Sequence, residues 1–171
     1  MNTETKQGQL EVKKIYIKDV SFESPVSPQV FGQKTVEPQI DVQLRVSHQA
    51  LNEEKTFNEV FITSTVTANI EEKAAMLIEV QQAGIFQVSG FDEQHREAVL
   101  EVACPNILLP FLRETISDLV TKGGFPQLLI NPINFEVLYR EKLRKRAEQD
   151  SAKASGKANG ESADGPEITQ N

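Results

Sequence analysis

One cysteine, two histidines and no tryptophan stand among the 171 residues, and each scarcity removes a class of function. Cys104 has no second cysteine to pair with, so no intrachain disulfide forms, in keeping with a reducing compartment. Among Val102, Ala103 and Ile107 it reads as a small buried side chain rather than a nucleophile. His48 and His95 lie among polar neighbours as solvated residues do, and neither belongs to a Cys or His pair at metal-ligand spacing. Neither a G-x-S-x-G elbow nor a phosphate-binding loop is present, and Lys122-Gly123-Gly124 lacks the order such a loop requires. The acidic pairs Glu53-Glu54 and Glu71-Glu72 sit in short turns as solvated charge. No catalysis, metal or cofactor is therefore expected. No apolar run approaches the roughly 20 residues of a membrane span, and the opening MNTETKQGQLEVKK lacks the apolar centre of a secretory signal. The expectation is a cytoplasmic chain without stable membrane insertion. A basic excess is also missing. The net charge of −7 argues against nucleic acid as a partner and for a partner of positive charge.

What is present is a change of hydrophobic period along the chain. Ile40, Val42, Leu44 and Val46 alternate with Asp41, Gln43, Arg45 and Ser47, the mark of a strand in a sheet with one wet face. Strand patterning also begins near Ile15, recurs from Val60 to Ile70, and again from Ala74 to Val80. Short polar connections at 52–55 and 71–73 suit hairpins. Between the first two strands, Pro25, Pro28 and Pro38 rule out a central strand and predict an extended crossover. After Gly90 a helical period takes over, with Leu108, Phe111, Leu112, Thr115, Ile116 and Leu119 on one face. Pro110 is placed near the helix start and Gly123-Gly124 at its C-cap. Asn131 and Pro132 are expected to open a final helix, with Ile133, Phe135, Leu138 and Tyr139 as its apolar stripe. Lys142 to Arg146 (KLRKR) reads as a complement to the C-terminal helix dipole, with contact to anionic lipid or an acidic partner as the alternative. The pattern predicts an α+β fold, a four-stranded antiparallel sheet with helices packed on one face. The expected boundaries are a disordered N-terminus over 1–14, a domain over 15–146, and a disordered low-complexity tail over 147–171.

Three stretches carry a resemblance in the right order: YIKDVSFESP (Tyr16 to Pro25), AMLIEVQQAGIF (Ala75 to Phe86), and CPNILLPFLRETISDLVTKGGFPQLLINPINF (Cys104 to Phe135). They resemble SecB, the family of bacterial protein-export chaperones. The resemblance implies a homotetramer, a dimer of dimers, that binds unfolded precursor polypeptides and delivers them to the ATPase SecA. It assigns SecA contact to Asp19, Glu23, Leu77 and Glu79, and tetramer assembly to Ile78, Val80 and Gln82. It assigns an apolar client groove to Val36, Ile40, Val42, Leu44, Tyr139 and Leu143. Val36 departs from the large aromatic frequent in the family, which implies a shallower or rearranged groove. Two rivals stay open at this point. One is a SecB-like stand-alone chaperone, not coupled to SecA, of the kind associated with toxin–antitoxin systems. The other is an enzyme built on the same α+β domain.

Overall fold

The computed structural model describes residues 8–32 and 37–158. Four antiparallel strands, β1 (Gln9–Glu23), β2 (Gln39–Ala50), β3 (Phe57–Ile70) and β4 (Lys73–Ser89), form one sheet in the order β1-β4-β3-β2. The two β-hairpins β2–β3 and β3–β4 follow from tight polar loops. In the second, Ile70 pairs with Lys73 across Glu71 and Glu72, both at positive φ (49° and 64°), the backbone of a type I′ turn. Because β1 and β2 occupy opposite edges, the connection between them must cross the width of the sheet. A 3-10 turn at Gln29–Gly32 lies within that crossover, and Phe31 packs there on Phe125 with ring centroids 5.5 Å apart.

The strands are longer than their patterning suggests. β4 continues past Val80 to Ser89, and β1 begins at Gln9 because Leu10 and Val12 pair with Val88 and Phe86. The N-terminal boundary expected at Ile15 is thus corrected: ordered pairing starts six residues earlier. The alternation in β1 breaks twice, with register shifts between Val12 and Lys14 and between Ile17 and Asp19. Each bulge absorbs one lysine, Lys13 or Lys18, and re-phases the strand. Leu10, Val12, Ile15, Ile17, Val20 and Phe22 thereby face one side, in register with Val88, Phe86, Gly84, Gln82, Val80 and Ile78.

That inner side is covered by helix. α1 (Glu93–Ala98) starts at the N-cap Asp92, whose carboxylate accepts from the His95 N–H at 2.9 Å. It passes through a π turn (Val99–Ala103) into α2 (Cys104–Lys122). The expectation that Pro110 lies near a helix start is corrected, since it sits inside a helix that begins at Glu93. The π turn stands where Pro105 would otherwise press its ring against the carbonyl of Glu101, four residues back, and a wider turn relieves that clash. Leu108, Leu112, Ile116 and Val120 of α2 close over Val60, Ile62, Val66, Ile78, Val80 and Phe86, all buried. Gly84 permits the approach, for a Cβ there would meet Leu108 Cδ2 at 3.0 Å and Phe86 Cε2 at 2.7 Å.

The final helix, α3 (Phe135–Ala158), starts four residues after Asn131, so Asn131 does not cap it. The reason is burial: Ile130 and Phe135 both enter the core, and five residues apart they do not share a helical face. The segment between Gly124 and Phe135 therefore stays outside any helix. Helix α3 also continues past Ala147, where a structureless tail is expected. Alanine, glutamate, glutamine and lysine are strong helix formers, and Arg144 reaches Glu148 one turn on at 3.6 Å; residues 159–171 lie outside those described. The chain divides into two compact units, Met1–Phe135 and Glu136–Asn171.

Candidate functional site

Where the crossover meets the end of the sheet, the inner face is left open. An apolar groove of about 480 Å³ forms there, its walls including Phe31 and Val30 of the crossover, Ile40 of β2, Ile70, Met76 and Leu128. Sequence periodicity builds it indirectly. The inward parity of β2 places Ile40, Val42, Leu44 and Val46 beside Ala68, Val66, Ser64 and Ile62. The helical cover runs out before it reaches the first two, so Ile40 is 45% exposed and Val42 is exposed as well. Phe31, 53% exposed, and Gly124, held at φ +83°, shape the opposite wall.

Of the expected client residues, Ile40 lines the groove and Val42 lies next along the same strand face. Leu44 is half-buried and packs against the core. Val36 lies outside the described residues. Tyr139 and Leu143 sit four residues apart on α3, and so on one face of that helix. Sequence reasoning missed Phe31, Ile70, Met76 and Leu128 as groove residues. Phe31 alone carried a signal, as an aromatic inside a proline-rich crossover.

The outer face of the sheet gathers the expected acidic residues. Glu23 pairs directly with Leu77, Ser21 with Glu79, and Asp19 with Gln81. The bulge at Lys18 makes this possible: without it, Asp19 and Glu23 would share a face with the inward Ile15 and Ile17. The row through Glu23 and Leu77 continues over Thr67 to Asp41 on β2. Asp41 thus adds a fourth carboxylate to a face otherwise lined by Thr63, Thr65 and Thr67. Ile78, Val80 and Gln82 point the other way and are buried within the single chain. Gln82 Nε2 donates to the Tyr16 carbonyl at 2.9 Å.

Toward the other end of the outer face, Glu59 is only 5% exposed yet is held by three donors. Lys18 Nζ donates at 2.8 Å, Gln49 Nε2 at 2.6 Å, and the Tyr16 hydroxyl completes the set. Burial pushes the Glu59 carboxyl up, but the hydrogen bonds from Lys18, Tyr16 and Gln49 and the lysine charge together hold it below its ordinary value. Burial, then the bond to Glu59 and its charge, push the Tyr16 phenol up to about 12. Lys18 also lies over the Phe61 ring, 4.6 Å from its centroid. This cluster ties the β1 bulge across β4 to β3 and β2, so it fixes the presentation of Asp19.

Burial pushes the Cys104 thiol up to about 12, and a fully buried protonated thiol is a poor nucleophile. His95 pairs with Asp92 on the surface at 2.6 Å. His48, read from sequence as solvated, is instead brought against Glu97 and Glu101. Among the described residues no helix is long and apolar enough to cross a membrane.

The comparisons with known proteins agree with this architecture. The profile of the family described as Preprotein translocase subunit SecB matches residues 3–146. The protein-export protein SecB of Hydrogenovibrio crunogenus is 47% identical over 148 residues, covering 86% of this chain and 97% of its own length. That of Alkalilimnicola ehrlichii is 42% identical over 166 residues, 97% of this chain and 86% of its own. Among solved structures, the Mycobacterium tuberculosis Rv1957 SecB-like chaperone, in complex with a ChAD peptide from the Rv1956 HigA1 antitoxin, is similar in fold. It matches with a TM-score of 0.60 at 15% identity, over 73% of this chain and 91% of that one. On the extent of the profile match and the identity to these relatives, the chain belongs to the SecB family.

Proposed function

We propose that this chain is a cytoplasmic protein-export chaperone, a holdase that keeps unfolded precursors competent for translocation and hands them to SecA. The observation that carries the holding step is the open apolar groove at Phe31, Ile40, Ile70, Met76 and Leu128. Such a surface binds through buried apolar area, about 25 cal/mol per Å², and reads no side-chain order. It therefore takes exposed apolar segments of any unfolded client and has nothing to offer a folded one. Each contact is weak, and a homotetramer, as a dimer of dimers, gains avidity by presenting several grooves to one client. In this reading Val42 extends the apolar track along β2, and the family resemblance adds Val36, Tyr139 and Leu143 as client contacts.

The handover step rests on the outer face. Glu23 lies directly across from Leu77, Glu79 follows on the same strand, Asp19 lies farther along β1, and Asp41 stands beyond Thr67 on β2, an anionic platform with an apolar residue in it. A basic segment of SecA would be steered to it and held by charge-assisted hydrogen bonds. Ile78, Val80 and Gln82 support assembly from below, by holding α2 in place. No step calls for catalysis.

Native mass spectrometry of the full chain, with a slow-folding precursor offered unfolded and then native, tests the holding step. A tetramer that captures only the unfolded form is expected, and Phe31→Ser with Ile40→Ser is expected to weaken capture at least tenfold. A monomer indifferent to both forms would sink the reading. The triple change Asp19→Asn, Glu23→Gln and Glu79→Gln is expected to abolish SecA binding while capture of client persists. Unaltered SecA binding would remove the outer face from the mechanism, and no SecA binding by the native chain would favour the stand-alone chaperone.

A further inference from the structure

We propose that His48, Glu97 and Glu101 form a binding site for one divalent cation of the zinc class, joining the edge strand β2 to the helical layer. The three side chains come from separate elements: His48 from the inward face near the end of β2, Glu97 from α1, and Glu101 from the π turn. His48 Nε2 stands 3.3 Å from Glu101 Oε1 and 3.5 Å from Glu97 Oε1, and one ligand atom from each residue lies within 4.8 Å of the others. These separations sit beyond the usual 2.7–3.2 Å of an N–H···O hydrogen bond. They match the edge of a tetrahedron of donors around zinc, about 3.3 Å for bonds of about 2.0–2.1 Å.

The surroundings favour a site over a chance surface cluster. Glu101 is 4% exposed, and the His48 side chain is 21% exposed, so two of the three donors are held by packing in a region of low dielectric. One imidazole nitrogen with two carboxylate oxygens suits zinc or cobalt(II) better than magnesium or calcium, which take oxygen ligands throughout. The wide turn imposed by Pro105 is what aims Glu101 at the end of β2. An ion there clasps the sheet edge to the start of the helix, a structural role rather than a catalytic one.

The test uses the full chain freed of metal by chelation and titrated with zinc chloride, followed by calorimetry, with cobalt chloride as a spectroscopic stand-in. One zinc ion per chain is expected, together with visible cobalt absorption of tetrahedral type and a higher Tm in the presence of zinc. His48→Asn and Glu101→Gln are each expected to lower affinity at least tenfold, whereas His95→Asn leaves it unchanged. Glu97→Gln, at the most exposed of the three positions, serves as the variant least able to disturb folding, checked by circular dichroism. Zinc binding that survives His48→Asn and Glu97→Gln overturns the assignment, as does the absence of binding by a folded native chain at millimolar zinc.

Discussion

Replacing Gly123 with alanine separates two reasons for which glycine follows α2. Gly123 keeps an ordinary helical backbone, φ −72° and ψ −3°, so its left-handed freedom is not in use. A Cβ there would instead lie 2.2 Å from Phe22 Cζ and 2.6 Å from Cε2, where carbon atoms rest about 3.5–4.0 Å apart. The ring must therefore retreat by more than about 1 Å from its place against β4. Overpacking of this kind costs about 1–3 kcal/mol, from which the stiffer unfolded chain returns about 0.4–1 kcal/mol. The net expectation for Gly123→Ala is a loss of about 1–2 kcal/mol, or a Tm lower by about 2–8 °C for a chain of this size. Gly124→Ala should cost about 1–2 kcal/mol by a different route, since φ +83° brings Cβ against the following carbonyl. Thermal unfolding at fixed protein concentration, in the native and Phe22→Leu backgrounds, distinguishes the two. With the ring shortened, Gly123→Ala should become nearly neutral while Gly124→Ala keeps its cost. If both penalties carry over unchanged to within about 0.5 kcal/mol, the Phe22 contact is not the reason for Gly123.

Other consequences follow from single sites. Glu59 is held below its ordinary value of 4.5, so its contribution to stability is present above that pH and is lost as pH falls through the folded value. Glu59→Gln should cost about 1–3 kcal/mol at pH 7 and flatten the acid limb of a stability-against-pH curve. An acid limb as steep as that of the native chain would refute this. The Tyr16 phenol is raised to about 12, so its contribution is whole below pH 10 and disappears between pH 10 and 12; Tyr16→Phe should remove that alkaline dependence in the same denaturation series. Exchanging Glu71-Glu72 for Asn-Gly matches the positive φ of the turn and should raise Tm by about 2–4 °C, for a gain of about 1 kcal/mol. Cys104, buried and protonated, should resist alkylation at pH 8 until denaturant unfolds the domain, and ready labelling of the folded chain would contradict the burial.

The amino-acid sequence by itself determined the strand and helix content and the two-faced sheet. The alternation of Ile40 to Val46 and of Val60 to Ala68 can be satisfied only by burying one parity. The motifs around Asp19, Glu79 and Pro105 were enough to place the chain in its family, and the parity shared by Asp19 and Glu23 was legible because both follow the same bulge. Tertiary structure decided what periodicity cannot encode. The bulges at Lys13 and Lys18 show in sequence only as a stumble in the pattern, and their register is set by pairing with β4. The open groove exists because α2 stops short of Ile40, a matter of where a helix ends over a sheet rather than of any residue's own preference. Asn131-Pro132 carried a helix-start signal that the burial of Ile130 and Phe135 overrode. His48, Glu97 and Glu101 meet for the same kind of reason: residues distant along the chain become neighbours only when an edge strand and a proline-widened helical turn pack together.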